Sequence, residues 1–472
     1  MRRAMRAPRR SMMRKETGDT KRMNKIAPPP LFRRLLSPCA PRLADPRQRE
    51  AFREHLLSSA WGGVSNGVII LTDVILAKAL GAPGWQITLF ATLGPAANLF
   101  SFYWAGAVQG RRKAGAFLLA ALMGRLPLAA LVLWTASPAL ILLSFLHSVA
   151  TALLITAANA LYQTRYPEES RPLCFGIATS VGTAAAIATT LGSGLILQTR
   201  EQSYPWLFAL AGLAGFVSAY HLYRMEADRN ERRDMLGWLR IGWAALRRTL
   251  SPESPARESR PTLMESLRLA SRTFRENPEF VRFERNFMLY GFAFLSLIPV
   301  LPIYIVRELS MDYNQLSASK GLWSQIGLVA LSPILGIWLG KLRPIRFTGR
   351  IFLLLALYPL CLWISTIPLI HGRVDWVYAG LLFYSVAMAG VNLSWTLGSM
   401  HFAGEEEASM FQGMHVALTG VRGLLAPTLG YGIQRVFGSA AAFLFSTALF
   451  ALAGLLMLKQ DRDLRNGRAS GT

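Results

Sequence analysis

The sequence predicts an all-α, polytopic membrane protein with twelve transmembrane helices in two pseudo-symmetric six-helix bundles. Three observations lead to this fold class: twelve apolar runs of roughly 18–25 residues, basic residues concentrated between alternate runs, and a repeated set of motifs. A helix of that length crosses about 30 Å of hydrocarbon. The 472 residues are 52% hydrophobic and the mean hydropathy is +0.31, which excludes a disordered chain and an ordinary soluble protein.

The apolar runs form two groups of six, separated by a polar segment. We place the spans at 56–80, 86–109, 114–134, 139–162, 173–197, 205–223, 286–306, 319–340, 350–370, 377–399, 411–433 and 439–458. The amphipathic stretch from Asp234 to Leu250, between the groups, is expected to lie along the inner membrane surface. The predicted domains are a basic, disordered cytoplasmic tail, the N-terminal bundle, a cytoplasmic linker, the C-terminal bundle and a second cytoplasmic tail, at 1–53, 54–223, 224–283, 284–459 and 460–472.

The net charge of +24 is distributed asymmetrically across this topology. Most basic residues lie on one side of the twelve spans, and only a few lie near the other: Lys78, Arg200, Arg307, Lys320, Arg373 and Arg435. The positive-inside rule therefore places both termini and the linker on the cytoplasmic side of the membrane. We expect this membrane to be the bacterial plasma (inner) membrane. The basic loops lack aromatic or groove-reading elements, so we expect the lipid bilayer and no nucleic acid as a partner.

Internal repetition relates the two halves. The pair Glu168–Glu169 recurs as Glu406–Glu407, and TLGSG at 190–194 recurs as TLGYG at 428–432, with the same offset in both cases. Isolated matches between apolar helices arise by chance, but a charged pair followed at a fixed distance by a glycine motif does not. The sequence therefore predicts two related bundles.

After residue 50 the chain resembles the Major Facilitator Superfamily over nearly its whole length. The resemblance rests on the six-plus-six layout, the long middle loop and three loop motifs: YPEESRPLCFG at 166–176, GAVQGRRKAG at 106–115 and GIWLGKLRPIRFTGR at 336–350. In the last two motifs the aspartate usual in the family is missing. The resemblance implies two bundles that rock about a central cavity and give alternating access. It also implies that the first, second, fourth and fifth spans of each half line that cavity.

Charged residues in the loops suggest a cytoplasmic gate. Because the usual aspartate is missing, we expect Arg111 and Arg112 to pair with Glu168, Glu169 and Glu406. The alternative is a solvated, charged loop without a gating role.

Charges within the spans are functional candidates, since each costs roughly 2.5–3.5 kcal/mol on insertion. Asp73 is the carboxylate placed well inside a span. A poorly hydrated carboxylate holds a proton more readily, as a proton-coupled carrier requires; the alternative is a structural ion pair with Lys78 or Arg125. Arg125, on a span that the family places at the periphery, is expected to form a structural pair. His147 is a candidate proton relay or else a hydrogen-bonded packing residue.

Span eleven carries a polar face and a small-residue face. His415, Thr419 and Arg422 follow one another at helical spacing on the first. Arg422 is expected to bind a carboxylate or phosphate, or to act as a gate; the alternative is a bond to carbonyls freed near Pro427. The opposite face is expected to pack closely and holds Gly413, Gly420, Gly423, Pro427 and Gly430.

Neutral polar groups on the presumed lining helices are further candidates for solute binding or gating, although such groups also hold helices together. They are Asn66, Asn98, Asn159, Gln325, Asn392 and Trp395.

These features predict a secondary active transporter of a small-molecule solute, coupled to protons. The charges within the spans are mainly positive, with Arg125 and Arg422 against Asp73, and this favours an anionic or zwitterionic solute. Proton-driven efflux of lipophilic compounds is the runner-up, although span five lacks the Gly-Pro pair of many drug antiporters. Other classes are a non-transporting receptor and a membrane-embedded transferase, for which His401, Glu405 and Glu406 are the loose candidate set.

We expect no catalytic residues, no metal and no cofactor. The three cysteines and six histidines are scattered. The chain has no phosphate-binding Gly-x-x-x-x-Gly-Lys-Ser/Thr loop, so ATP is not expected to be the direct energy source. We expect the protein to work as a monomer.

Overall fold

The computed structural model of the protein describes residues 43, 45–100, 104, 112–167, 170–227, 234–250, 272, 274–331, 343–397 and 408–469. Residues Leu43–Thr472 form one compact unit. Helices, turns and loops make up the described part of the chain, and no β-strand occurs in it. The protein therefore has the all-α fold class that the apolar spans predict.

The first half is built from seven helices separated by short turns. Asp45 caps the first helix by accepting a hydrogen bond from the Arg47 backbone N–H at 2.8 Å. Helix formation thus begins well before residue 56, inside the range assigned to the N-terminal tail. The helices are α1 (Pro46–Ile69), α2 (Thr72–Ala77), α3 (Gly84–Ala96), α4 (Ala114–Gly124), α5 (Ser137–Arg165), α6 (Arg171–Thr199) and α7 (Tyr204–Glu226).

A linker helix and the helices of the second half follow. The last helix covers predicted spans eleven and twelve and breaks at Gly438, whose φ of 83° is in the left-handed region that favours glycine. The helices are α8 (Met235–Leu250), α9 (Pro278–Ile303), α10 (Tyr313–Ser317), α11 (Pro344–Ser365), α12 (Arg373–Leu397) and α13 (Ala408–Ala469).

Nine helical stretches in the described residues are long and apolar enough to cross a membrane. One of them, Met414–Asn466, contains two predicted spans. Predicted spans two and eight contain shorter described helices, and parts of both lie outside the described residues. The protein is a multi-pass membrane protein, and the number twelve stays a prediction.

The helices pack around two apolar cores. In the first half, α1 lies against α6 and α7; in the second, α13 lies against α9 and α11. The larger core combines side chains from both halves, such as Val74 from α2, Phe287 from α9 and Phe352 from α11. The two halves are therefore joined by apolar packing as well as by the polar contacts described below.

Helix α8 packs on the first half through one tryptophan. Trp238 is fully buried, and its Nε1–H donates to the Ala114 carbonyl at 3.3 Å. Its ring lies against Phe216 and Tyr223, at centroid distances of 5.1 and 6.1 Å. Trp243 is 49% exposed. The amphipathic stretch is thus a helix, but it docks on α4 and α7 by its buried tryptophan.

Candidate functional site

Spans one and eight are among those that are irregular at the end predicted to face outside, which we call the outer end. Span one is interrupted between α1 and α2, and Asp73 lies in the first turn of α2. Span eight begins with α10 and continues as a π-helical turn, Ala318–Trp323, that contains Lys320. Single π-helical turns are frequent at functional sites, and interrupted helices commonly bind solutes and ions in transporters.

Asp73 and Lys320 form an ion pair between the two halves. The Lys320 ammonium donates to Asp73 Oδ2, and Asp73 Oδ1 accepts from the Val74 backbone N–H at 2.8 Å. The two side chains are 8% and 16% exposed, so both charges are largely removed from solvent. Lys78 instead donates to the Met311 carbonyl at 2.6 Å. The alternative considered for Asp73, an ion pair with Lys78 or Arg125, is therefore wrong in its partner, which is Lys320.

A cavity of about 200 Å³ lies beside this pair. Gln325 is the predicted site residue that lines it. Asn66 lies one helical turn before the lining residue Ile70, and its side chain is exposed. The polar lining consists of Lys320, Ser324, Gln325, Tyr358 and Tyr384, and the apolar lining of Ile70, Phe294, Leu297, Ile298, Leu301 and Leu381.

Aromatic rings form one wall of the cavity. Phe294 and Tyr384 stack with centroids 6.2 Å apart and an interplanar angle of 6°. Tyr358 lies against Tyr384 at 5.2 Å. These rings present an apolar surface with two hydroxyl groups to a solute.

Further contacts join the halves at the outer end. Arg307 donates to the Ala82 carbonyl at 2.5 Å. The Tyr313 backbone N–H donates to Gln198 at 2.8 Å, and the Tyr313 hydroxyl donates to Glu201 at the same distance. Burial, followed by the hydrogen bond to Glu201 and then the Glu201 charge, raises the pKa of Tyr313, so this hydroxyl keeps its proton. The outer ends of the halves are thus held together next to the cavity.

Arg422 lies between α13 and α9, away from the cavity lining. Its Nη1 donates to the Phe287 carbonyl and its Nη2 to Thr419 Oγ1, each at 2.8 Å. The side chain is buried, and the guanidinium lies 5.5 Å from the Phe287 ring centroid. The carbonyl is one on α9 rather than one freed near Pro427. The polar face of span eleven therefore packs against span seven.

His415, on the same face, contacts a carboxylate that sequence reasoning missed. His415 Nδ1 lies 2.9 Å from Glu284, and both side chains are buried. The Trp395 ring lies 5.7 Å from the imidazole. Glu284 was missed because the apolar run suggested a span beginning at residue 286, whereas α9 begins at Pro278.

The first half contains a second missed carboxylate. Glu54 is buried on α1, 2.7 Å from His221 and 3.1 Å from Arg224 of α7. It was missed because span one was placed from residue 56. Glu54 and Glu284 lie near the N-terminal ends of spans one and seven, the first span of each half.

Arg125 and His147 contact each other inside the first half. Arg125 Nη1 lies 2.8 Å from His147 Nε2, and His147 Nδ1 lies 3.0 Å from the Gly124 carbonyl. Both side chains are buried. This arrangement agrees with the expected structural pairing of Arg125.

The small-residue face of span eleven is closely packed. A side chain at Gly420 would meet Leu99, and one at Gly423 would meet Pro95. Gly430 lies against the Ser296 backbone of α9 in the same way. The predicted packing face therefore contacts spans two and seven.

Other predicted site residues lie apart from the cavity. Asn98 is half-buried next to Leu99, and Asn159 and Asn392 are exposed on α5 and α12. Of the gate residues Arg112 is described and is exposed, whereas Arg111, Glu168, Glu169 and Glu406 lie outside the described residues, as do His401 and Glu405.

The carboxylate observed next to the basic loop belongs to Glu226, which accepts from the Lys113 backbone N–H at 2.6 Å. In the described part of the chain, no group of three His, Cys, Asp or Glu side chains is arranged to hold a metal ion.

Comparison with known proteins agrees with this architecture. The fold is similar to the nucleoside transporter NupG (TM-score 0.62, 12% identity, 88% of this chain and 99% of that one) and to a D-xylose-proton symporter (0.61, 12%, 87% and 96%). It is also similar to a POT family transporter in complex with a thioalcohol conjugated peptide (0.65, 15%, 87% and 96%). No curated protein is significantly similar in sequence. The Major Facilitator Superfamily model matches residues 58–427, and the chain therefore belongs to that family.

Proposed function

We propose that this protein is a secondary active transporter of the bacterial plasma (inner) membrane that moves a small solute by alternating access. The cavity next to Asp73 and Lys320 is the proposed solute site. The observation that carries the proposal is a buried ion pair between the two halves, located where both contributing spans are irregular and where a cavity begins. Buried charges inside a membrane are costly, and apolar packing of the two halves would not need them, so their presence between the halves indicates a functional role.

Asp73 is the proposed proton-coupling residue. Its carboxylate holds Lys320 across the interface, so protonation would remove the charge that keeps the two outer ends together. The freed Lys320 and the neighbouring Gln325 would then bind solute, together with Asn66 from the first half. Proton binding and opening are thereby linked through one contact.

The remaining candidate residues take supporting roles in this proposal. Arg422, Thr419 and His415 hold spans seven and eleven together, and Trp395 packs beside them. Asn98, Asn159 and Asn392 are proposed to contact solute during passage, and His147 to relay protons.

At the cytoplasmic end, Arg111 and Arg112 with Glu168, Glu169 and Glu406 are proposed as the gate. The proposed working unit is a monomer with both termini in the cytoplasm, and solute transport rather than catalysis is its proposed activity.

The test uses purified protein in proteoliposomes with a panel of radiolabelled small solutes. We expect Asp73→Asn to abolish accumulation driven by a pH gradient while exchange of internal for external solute continues. Asp375→Asn is the matched control, because Asp375 is an exposed carboxylate at the start of α12 and is not among the lining residues. Unchanged gradient-driven uptake in Asp73→Asn would remove Asp73 as the coupling residue. A wild-type protein that moves no solute, with or without a gradient, would contradict transport itself.

Proton-driven efflux of lipophilic compounds is the second candidate, and the mainly aliphatic and aromatic lining favours it. A lipophilic substrate would bind by apolar contact and would not need Lys320. Export of a fluorescent lipophilic dye that persists in Lys320→Met would support efflux over the transport of a small polar solute.

A further inference from the structure

We infer that the solute carries one carboxylate, which binds the Lys320 ammonium in place of Asp73, and a compact apolar body. This inference rests on the proposed function and specifies the substrate class of the same site.

The charge of the cavity sets the charge of its solute. Lys320 is the one cation among the described lining residues. The neighbouring cations are already engaged, Lys78 with the Met311 carbonyl and Arg307 with the Ala82 carbonyl. A single ammonium in a poorly hydrated site balances a single negative charge. A phosphate dianion is better matched by the several fixed donors of arginine, and the described lining residues include no arginine.

The size and the walls of the cavity set the body of the solute. Its volume of about 200 Å³ is below the roughly 300–1,000 Å³ typical of sites for drug-sized ligands. The stacked Phe294 and Tyr384 and the neighbouring Leu297 would cover an apolar group. The hydroxyl of Tyr358 and the amide of Gln325 are available to a second carboxylate oxygen. A short aliphatic or single-ring monocarboxylate fits these limits.

Asp73 and the solute carboxylate compete for the same ammonium. Two carboxylates beside one lysine leave an uncompensated negative charge, which is costly where water is scarce. Asp73 must therefore be protonated when the solute binds. The other polar groups nearby do not supply this charge: Tyr358 is a phenol in the cavity lining, and Lys78 donates to the Met311 carbonyl.

The competition between Asp73 and the solute also determines the net charge that crosses the membrane with each solute. The empty site contains one carboxylate and one ammonium and is neutral. The loaded site contains protonated Asp73, the ammonium and the solute carboxylate, and is again neutral. One proton therefore travels with each carboxylate, and uptake responds to a pH gradient but not to the membrane potential.

Binding to purified protein tests the substrate class, using two matched pairs of probes: benzoate with benzamide, and butyrate with butyramide. Affinity is measured by calorimetry at about pH 6 and about pH 8, where the probe carboxylates are largely ionised. We expect the wild type to bind a carboxylate at least about tenfold more tightly than its amide at the lower pH, because the amide loses a charge-assisted hydrogen bond. The preference should weaken as the pH rises, because binding of the carboxylate takes up one proton.

Three variants separate the inference from simpler explanations. Asp73→Asn should bind the carboxylate with the same affinity at both pH values, and Lys320→Met should lose the preference for the carboxylate over the amide. Lys78→Gln is the matched control and should keep the wild-type pattern, since Lys78 binds a carbonyl on the outer side.

Equal binding of carboxylate and amide, or no binding of any of the four probes, would overturn the inferred substrate class. The proposed transporter function would survive that result if any other solute accumulated in proteoliposomes. A pH-independent preference in the wild type would instead overturn the competition with Asp73. Uptake is then measured for the carboxylate that binds most tightly. If this uptake is driven by a potassium diffusion potential at equal pH on both sides, the electroneutral co-transport of one proton with one carboxylate is overturned.

Discussion

Breaking the ion pair between Asp73 and Lys320 should lower the free energy of unfolding, and the effects of the two single substitutions should not be additive. Lys320→Met leaves the Asp73 carboxylate buried without its cation, whereas Asp73→Asn leaves the ammonium with a neutral acceptor. The double variant contains neither charge. A double-mutant cycle on these three proteins therefore isolates the interaction across the two halves.

The expected magnitudes follow from burial. Removing one partner of a fully buried pair costs about 3–5 kcal/mol. Because the Lys320 side chain is 16% exposed rather than fully buried, we expect about 2–4 kcal/mol for Lys320→Met. Asp73→Asn should cost about 1–3 kcal/mol, since the amide oxygen still accepts a hydrogen bond. The double variant should fall short of the sum by about 1–3 kcal/mol.

The assay is equilibrium unfolding in mixed micelles of dodecylmaltoside and increasing sodium dodecyl sulfate, followed by the fluorescence of the 12 tryptophans. The coupling energy should change little with added salt, because buried charges are screened less than exposed ones. If the effects of the two single substitutions are additive in the double variant, Asp73 and Lys320 do not interact in the folded protein. That result would also refute the proposed solute site beside this ion pair.

Three further predictions concern helix packing and use the same unfolding measurement. Arg422→Lys should lower the free energy of unfolding by about 1.5–3 kcal/mol, because one ammonium cannot serve both acceptors, with solute affinity unchanged; a large loss of affinity would make Arg422 a ligand after all. Gly423→Ala should destabilise by about 1–3 kcal/mol through overpacking, whereas Gly432→Ala, where a side chain meets open space, should be neutral or stabilising. Trp238→Ala should cost about 3–5 kcal/mol and Trp243→Ala much less, and equal losses would contradict docking of α8 through its buried tryptophan.

The fold class could be predicted because hydrocarbon imposes a length and a composition on each span. The predicted span ends were less accurate where a charge follows the apolar run. Glu54 and Glu284 resemble residues outside the membrane, yet each lies inside a helix and is paired with a histidine. Hydropathy cannot register such pairing, because the partner comes from a distant helix. Helices α1 and α9 therefore begin earlier than the apolar runs suggested.

The site was only partly predictable for the same reason. Asp73 was identified because a lone carboxylate within an apolar run is costly. Lys320 was counted among the few cations near the outer side, and no local pattern connects it to a residue of span one. The fold alone brings the two spans together. Conversely, the face containing His415, Thr419 and Arg422 was correctly recognised as continuous, but helical spacing does not say whether a polar face meets a cavity or another helix.

The location of the buried carboxylate contacts suits the rocking movement proposed for this protein. Glu54 with His221 joins two helices of the first half, and Glu284 with His415 joins two helices of the second. Asp73 with Lys320 joins the halves to each other. Rocking of one bundle against the other preserves contacts within a half and must break those between halves. In the proposed transport cycle, the ionic contact between the halves is therefore one whose strength must change, and we propose that a proton on Asp73 or an anion at Lys320 weakens it.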